Sequence, residues 1–311
     1  MLVYLYILPL ALIIDLVIGE YPACIHPVTW IGSVISFQLK AVPGKGSALQ
    51  FIYGMIIVVF TAALFTSPVY FLLYYLRDWS TIGFIIVAAL LLKSTFSIRI
   101  LYRVANNVKR LLDDGKISDA RKETSYLVSR DTTKLNQEQI TSAIVEMETE
   151  SITDSLVAPL FYWLFFGVPG AIVYRVINTF DSRIGYHGEY EYTGKFAARL
   201  DDILNYIPAR LAGLLLVVSA YIARKNGRKA LKTMLSDHAK TASPNAGWTM
   251  SAAAGALDVR LEKPGHYRLG YTGKEPDSSS ISGSLHLVIV TSLLWCCLSI
   301  GIKGVWYALT A

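Results

Sequence analysis

Apolar runs alternate along the chain with three polar regions. Leu2–Ile18 is apolar apart from Asp15, Phe51–Leu76 carries no charge, and Ile82–Leu92 is closed by Lys93. Leu156–Tyr174, Leu211–Ala223 and Ser284–Ala311 complete the set. A span needs about 20 mostly apolar residues to cross roughly 30 Å of hydrocarbon. Phe51–Leu76 and Ser284–Ala311 meet that; the other runs are shorter or broken. In the first polar region, Arg99–Glu150, helical spacing predicts helices over Ile98–Leu112, Ser118–Val128 and Leu135–Leu156. That region reads as a small helical subdomain outside the membrane. The second, Thr179–Arg210, is rich in Tyr, Gly and charge, has too little alternation for strands, and reads as a polar loop.

The third polar region, Arg224–Ser282, opens on Arg224, Lys225, Arg228, Lys229 and Lys232 directly after an apolar run. Basic residues at a span end mark the cytoplasmic side. If Leu156–Tyr174 and Leu211–Ala223 both crossed, Thr179–Arg210 would face the opposite side from its polar neighbours. However, Gly167-Val168-Pro169-Gly170 breaks the first of them, and the second is short. Such segments can be re-entrant when buried in protein, which would put all three polar regions on the cytoplasmic side. The expected fold is therefore all-α: a polytopic membrane protein with about four to six membrane segments, some re-entrant, and a cytoplasmic helical subdomain. Its expected parts are N-terminal membrane segments (1–98), a cytoplasmic helical region (99–155), paired short membrane segments flanking a polar loop (156–223), a basic cytoplasmic loop (224–283) and a C-terminal membrane helix (284–311).

Composition agrees with a bilayer. The chain is 53% hydrophobic and 17% charged, where a soluble domain carries about 25% charge, and its mean hydropathy is +0.44. The first run has no basic leader, and Asp15 and Glu20 stand where a cleavage site would need small residues, so it is expected to be retained. A net charge of +6 suits cytoplasmic loops facing anionic lipid. No nucleic-acid-binding motif accompanies it, so nucleic acid is not an expected partner. Cys24 is isolated and Cys296-Cys297 are adjacent in an apolar run, which reads as packing, with no metal-binding spacing.

The polar regions hold the candidate chemistry. Glu146, Glu150 and Asp154 recur every fourth residue, which makes one stripe on a helix. The stripe is either a solvated face or a set neutralised by Mg²⁺ or a cationic partner. Asp131 or Thr132 would cap the following helix, leaving Arg130 to fork onto phosphate or carboxylate. Asp181, Asp201 and Asp202 are open to a role as caps or as partners of Arg183 and Arg199. Pro208 would begin the helix that follows, with Arg210 in its first turn either snorkelling or holding an anion. Ser243-Pro244-Asn245 reads as a turn before the small-residue helix Ser251–Leu257, which is either tightly packed or offers backbone N–H groups to phosphate. There is no G-x-x-x-x-G-K-[ST]. His26 reads as a satisfied interfacial histidine.

Taken in order, these motifs resemble the CobD/CbiB family, the membrane-bound adenosylcobinamide-phosphate synthases. The resemblance runs from Asp15–Glu20 and His26–Gly32 through Arg130-Asp131-Thr132, Gln139-Ile140, Val145-Glu146, Glu150, Asp154 and Ala158–Phe161. It continues through Asn178-Thr179, Asp181-Ser182, Gly185-Tyr186, Ala198-Arg199, Asp201-Asp202 and Pro208–Leu211 to Ser243-Pro244-Asn245 and Ala254–Leu257. The chain departs from the family at Glu150-Ser151-Ile152-Thr153-Asp154-Ser155, where relatives often have Asn after the Glu and Gly after the Asp. It departs again at Met250, where some have Glu.

The resemblance implies an acid–amine ligase. It would condense (R)-1-aminopropan-2-ol or its O-phosphate with the propionate of adenosylcobyric acid, with ATP as co-substrate. A carboxylate must be activated before an amine can displace it, and phosphoryl transfer rests on positioning and charge neutralisation. On that footing Glu146, Glu150, Asp154 and Asp181 are the expected catalytic residues. Arg130, Asn178, Arg199, Arg210, Ser243 and Asn245 would bind substrate or phosphate, and Glu150, Asp154, Asp201 and Asp202 would hold Mg²⁺. The expected location is the cell membrane with a cytoplasmic active site. Expected partners are the lipid bilayer, the corrinoid and amine substrates, and a second copy or other corrinoid-pathway enzymes. Two other classes fit the composition: a transporter for an anionic solute, and a membrane scaffold for corrinoid enzymes.

Overall fold

The computed structural model describes residues 2–186 and 188–310; Met1 and Ala311, the outer ends of the two expected terminal segments, lie outside the described residues. The fold is helical. In chain order the helices are α1 (Ile7–Val17), α2 (Pro27–Leu39), α3 (Ser47–Trp79), α4 (Thr81–Lys93), α5 (Arg99–Asp113), α6 (Ile117–Ser125), α7 (Gln137–Ile152), α8 (Ala158–Ile184), α9 (Glu191–Ile222), α10 (Gly227–Asp237), α11 (Ala246–Leu257) and α12 (Ser278–Thr310). A two-stranded antiparallel hairpin, β1 (Leu261–Lys263) and β2 (Tyr267–Leu269), precedes α12. Among the described residues, Ser47–Trp79, Gln137–Ile184, Glu191–Ile222 and Ser278–Leu309 are long and apolar enough to cross a membrane.

The chain forms two compact units. The first comprises Met1–Ser97, Ala158–Asn205 and Leu298–Ala311, and the second Ile98–Val157 and Tyr206–Cys297.

In the first unit, α8 is not a straight rod. Gly167 sits at φ 66°, ψ −164°, a region essentially closed to side-chain-bearing residues. The Tyr162 ring stacks on Tyr174 with centroids 5.4 Å apart, although a continuous helix would set those residues about 18 Å apart. A Cβ at Gly170 would lie 2.8 Å from the Tyr162 carbonyl oxygen. The helix therefore turns back on itself where the Gly-Val-Pro-Gly run interrupts the apolar pattern.

The expected polar loop Thr179–Arg210 is instead almost wholly helical: α8 continues to Ile184 and α9 begins at Glu191. Its buried polar residues hold one another, while Ser182, Glu191, Lys195 and Arg199 are exposed. Tyr174 donates to Asn205, and Asn205 and Asn178 donate to Asp201, at 2.9, 2.8 and 3.3 Å. Pro208 does not start a helix either; it lies inside α9. Its missing N–H leaves the Leu204 carbonyl without the usual donor, and the Tyr162 hydroxyl takes that place at 2.9 Å.

The second unit has an ordinary apolar core. Val108, Leu112, Ile140, Ile144, Ala254, Leu261, Leu269 and Ile281 are buried together. The three predicted helices of the subdomain appear as α5, α6 and α7, within a few residues of their expected ends. The small-residue helix α11 is buried along nearly its whole length. A Cβ at Gly255 would meet the Lys229 carbonyl oxygen at 2.5 Å and one at Gly247 the His238 carbonyl oxygen at 2.0 Å, so tight packing is the role these residues play.

Candidate active site

The cap of α7 is Asn136, which forms a capping box with Gln139, not Asp131 or Thr132. Asp131 instead closes a turn on Thr133, accepting its backbone N–H at 2.9 Å and its hydroxyl at 2.7 Å. Those two bonds hold the Asp131 carboxyl below its usual range.

Arg130 and the carboxylate stripe meet in the second unit. Arg130 donates through Nη2 to Glu146 Oε2 at 2.5 Å, with both side chains largely buried. Ser142 donates to Glu146 Oε1 at 2.6 Å, and Tyr267, on β2, donates to Oε2 at 2.7 Å. Burial raises the Tyr267 phenol well above its ordinary value and the neighbouring Glu146 pushes it further, so it stays a neutral donor. Like-charge repulsion along the stripe is thus relieved at Glu146 by Arg130 itself. Glu150 is exposed one turn further on, and Asp154 lies in the π-turn Thr153–Val157, where α-helical spacing no longer holds. Arg130 Nη1 is buried and makes no hydrogen bond. A desolvated guanidinium N–H without an acceptor is costly and is a ready-made seat for an anionic oxygen.

A second arginine stands beside α11. The Arg210 guanidinium lies 3.4 Å over the Tyr206 ring centroid and 4.8 Å from Trp248. It donates to the Tyr206 carbonyl at 2.6 Å and reaches Asn245 Oδ1 at 3.4 Å. Ser243 accepts from the N–H groups of Asn245 and Ala246 at 3.2 and 3.4 Å, so its hydroxyl serves the start of the helix. Helix α11 links the two arginines: Asn245 faces Arg210, and Met250, little more than a turn on, touches the Tyr267 hydroxyl through sulfur at 3.9 Å. The second unit therefore brings together Arg130, Glu146, Glu150, Arg210, Ser243 and Asn245 around one helix end, with Tyr267 and Trp248 as members that spacing did not reveal.

Apart from Asp154 in the second unit, the remaining expected residues, Asn178, Asp181, Arg199, Asp201 and Asp202, belong to the first unit. Asp201 is buried and engaged by Asn178 and Asn205, Asp181 lies within electrostatic reach of Asp201 and Asp202, and Asp202 within reach of the exposed Arg199. Asn178 also accepts from Arg175 at 3.2 Å. Arg183 is not the partner of these acids: it donates to the Gly32 carbonyl and to Ser36, at 2.8 and 2.7 Å. Among the described residues no three His, Cys, Asp or Glu side chains converge to hold a metal.

One ionic centre of the first unit escaped the sequence reading. Lys93 is fully buried and pairs with Asp15 at 3.1 Å and Glu20 at 3.2 Å. His26 bonds Glu20 at 2.8 Å through Nε2 while its Nδ1 accepts the Val28 N–H as the cap of α2. Burial acts to raise the Glu20 carboxyl, but His26, Ser97 and Lys93 outweigh it and hold it at about 2. Each charge lay isolated at the edge of an apolar run, and only the contact between α1 and α4 reveals that they neutralise one another.

Comparison with known proteins gives a consistent result. The family model described as "CobD/Cbib protein" matches residues 8–299. A protein of Dehalococcoides mccartyi named "Cobalamin biosynthesis protein CobD" is 49% identical over 96% of this chain and 97% of its own length. Proteins named "Probable cobalamin biosynthesis protein CobD" are similar too. That of Methanothermobacter thermautotrophicus is 44% identical over 95% of this chain and 97% of its own length. That of Pyrococcus furiosus is 40% identical over 92% and 95%. No solved structure matches the chain.

Proposed function

This chain belongs to the CobD/CbiB family, and from that premise we propose that it serves cobalamin biosynthesis as an acid–amine ligase. In this reading it joins (R)-1-aminopropan-2-ol, or its O-phosphate, to the free propionate of adenosylcobyric acid. ATP activates the propionate as an acyl phosphate, releasing ADP; the amine nitrogen then displaces phosphate and loses a proton to give the amide. The observation that carries the reading is the buried Arg130, whose Nη2 is bound to Glu146 while its Nη1 has no acceptor.

Glu146, itself held by Ser142 and Tyr267, fixes the Arg130 guanidinium, so that Nη1 offers a directed hydrogen bond to a phosphate or carboxylate oxygen without reorganising. Arg210, stacked on Tyr206 and reaching Asn245, supplies a second cation for anionic substrate. Mg²⁺ needs only one or two carboxylates and completes its shell with water and phosphate oxygens; the exposed Glu150 and Asp154 are the residues proposed to hold it, where it would neutralise charge on the transferred phosphoryl group. Within the first unit, Asp181 is proposed as catalytic, Asn178 and Arg199 as substrate contacts, and Asp201 and Asp202 as further Mg²⁺ ligands.

The test is direct. Detergent-solubilised protein is incubated with adenosylcobyric acid, Mg²⁺, ATP and either amine, and the amide is sought by mass. Product that requires ATP supports the ligase. No product from folded protein with either amine, alongside corrinoid uptake into proteoliposomes, would favour the transporter instead.

A further inference from the structure

A cavity of about 500 Å³ lies in the first unit, among residues that no step above uses. Its walls are aromatic: Tyr4 and Tyr307 stack with ring centroids 5.3 Å apart, and Trp163 and Phe166 complete the wall beside the Gly167 reversal. Two cations flank the stacked pair. Arg77 stands 5.8 Å over Tyr4, and Lys303 lies 5.3 Å from Trp163 and 5.8 Å from Tyr307. Lys303 is half-buried and Arg77 is at the exposed rim.

No acidic residue lines the cavity, and neither cation makes an ion pair with a described carboxylate. Aromatic faces attract a cation but do not cancel its charge, so the two together call for an anion. The position says which kind. Arg77 is in the last turn of the span Ser47–Trp79, and Lys303 is near the end of Ser278–Leu309. Trp79 is 87% and Trp306 61% exposed beside them, as in an interfacial aromatic belt. We propose that this cavity binds one anionic phospholipid, its phosphate between Arg77 and Lys303 and its acyl chain along the aromatic wall. The charge chooses an anionic headgroup, and the apolar wall at a span end chooses a lipid over a soluble phosphate ester.

The whole chain, purified in detergent and reconstituted in nanodiscs of phosphatidylcholine with phosphatidylglycerol, is extracted again and washed, and retained lipid is counted by mass spectrometry. Phosphatidylglycerol should remain at about one per chain, with retention falling about thirtyfold in Arg77→Gln/Lys303→Gln as two interfacial cations are lost. It should persist in Arg77→Lys/Lys303→Arg, and excess glycerol 3-phosphate should not displace it. Equal retention of both lipids, retention unchanged in the Gln pair, or displacement by glycerol 3-phosphate would overturn the proposal. If the Gln pair loses its wild-type thermal midpoint, the two single Gln variants are read in its place, by the same criteria.

Discussion

Arg130 and Glu146 form a buried pair at 2.5 Å, and removing either partner strands the other charge. Glu146→Leu alone should cost about 3–5 kcal/mol, seen as a fall in the thermal midpoint in detergent. Arg130→Met/Glu146→Leu should recover most of that stability and none of the activity; recovery of turnover would show that the pair only holds the fold. Arg130→Lys tests the chemistry separately. It keeps charge but loses the second N–H of the fork, so KM for the phosphate-bearing substrates should rise about tenfold, a cost near one charge-assisted hydrogen bond. An unchanged KM would remove Arg130 from substrate binding. Glu20 offers a pH test. Its carboxyl is lowered from 4.5 to about 2 in the folded chain, so its stabilising contribution is complete above pH 4.5 and is lost as pH falls toward 2. Wild type should exceed Glu20→Gln in thermal midpoint at neutral pH, and the gap should narrow below pH 4.5. A gap independent of pH would mean that the Glu20 charge is not what stabilises this centre.

Among the elements, α8 is the most exposed to test, because its reversal depends on one backbone conformation. Gly167→Ala should cost about 1–3 kcal/mol through strain at positive φ. Gly170→Ala should also destabilise, by forcing its Cβ into the Tyr162 carbonyl oxygen. Wild-type thermal midpoints in both variants would show that the segment does not need this turn. The Pro208 gap in α9 gives a gentler probe: Tyr162→Phe leaves the Leu204 carbonyl without its donor and should cost about 1–2 kcal/mol. Here Pro208→Ala restores a backbone N–H, so the same Tyr162→Phe change should cost less in that background.

For the molecule as a whole, sidedness is the open measurement. Ser129→Cys and Ser236→Cys, both in the second unit, are made in a chain lacking Cys24, Cys296 and Cys297. If the basic run from Arg224 to Lys232 marks the cytoplasmic side, as basic residues at a span end do, both should be shielded from an impermeant thiol reagent in intact cells and labelled after lysis. Labelling of either in intact cells would reverse this orientation. Glu189→Cys tests α9: the helix as a whole is long and apolar enough to cross, but its charge-free stretch from Leu211 to Ile222 is only about 18 Å long against roughly 30 Å of hydrocarbon, so a re-entrant course, with Glu189→Cys shielded, is the expected outcome. Labelling there would mean that α9 makes a full crossing.

The linear pattern determined much of this protein. Apolar length marked α3 and α12 as spans, helical spacing placed α5, α6 and α7, the Gly167–Gly170 break located the reversal of α8, and ordered short motifs identified the family. These features are legible because each depends on residues close in sequence. What the sequence could not reveal is which polar groups satisfy one another. Thr179–Arg210 looked like a loop because its charges and amides seemed to need water, whereas Asn178, Asp201 and Asn205 bond among themselves across α8 and α9. The carboxylate stripe looked repulsive until Arg130 proved to be the partner of Glu146, and Asp15, Glu20 and Lys93 looked like stray charges at the ends of apolar runs. Tyr267 and Trp248 carried no signal by spacing at all. Pairing of buried polar groups is a matter of three-dimensional distance, so only the tertiary structure decided it.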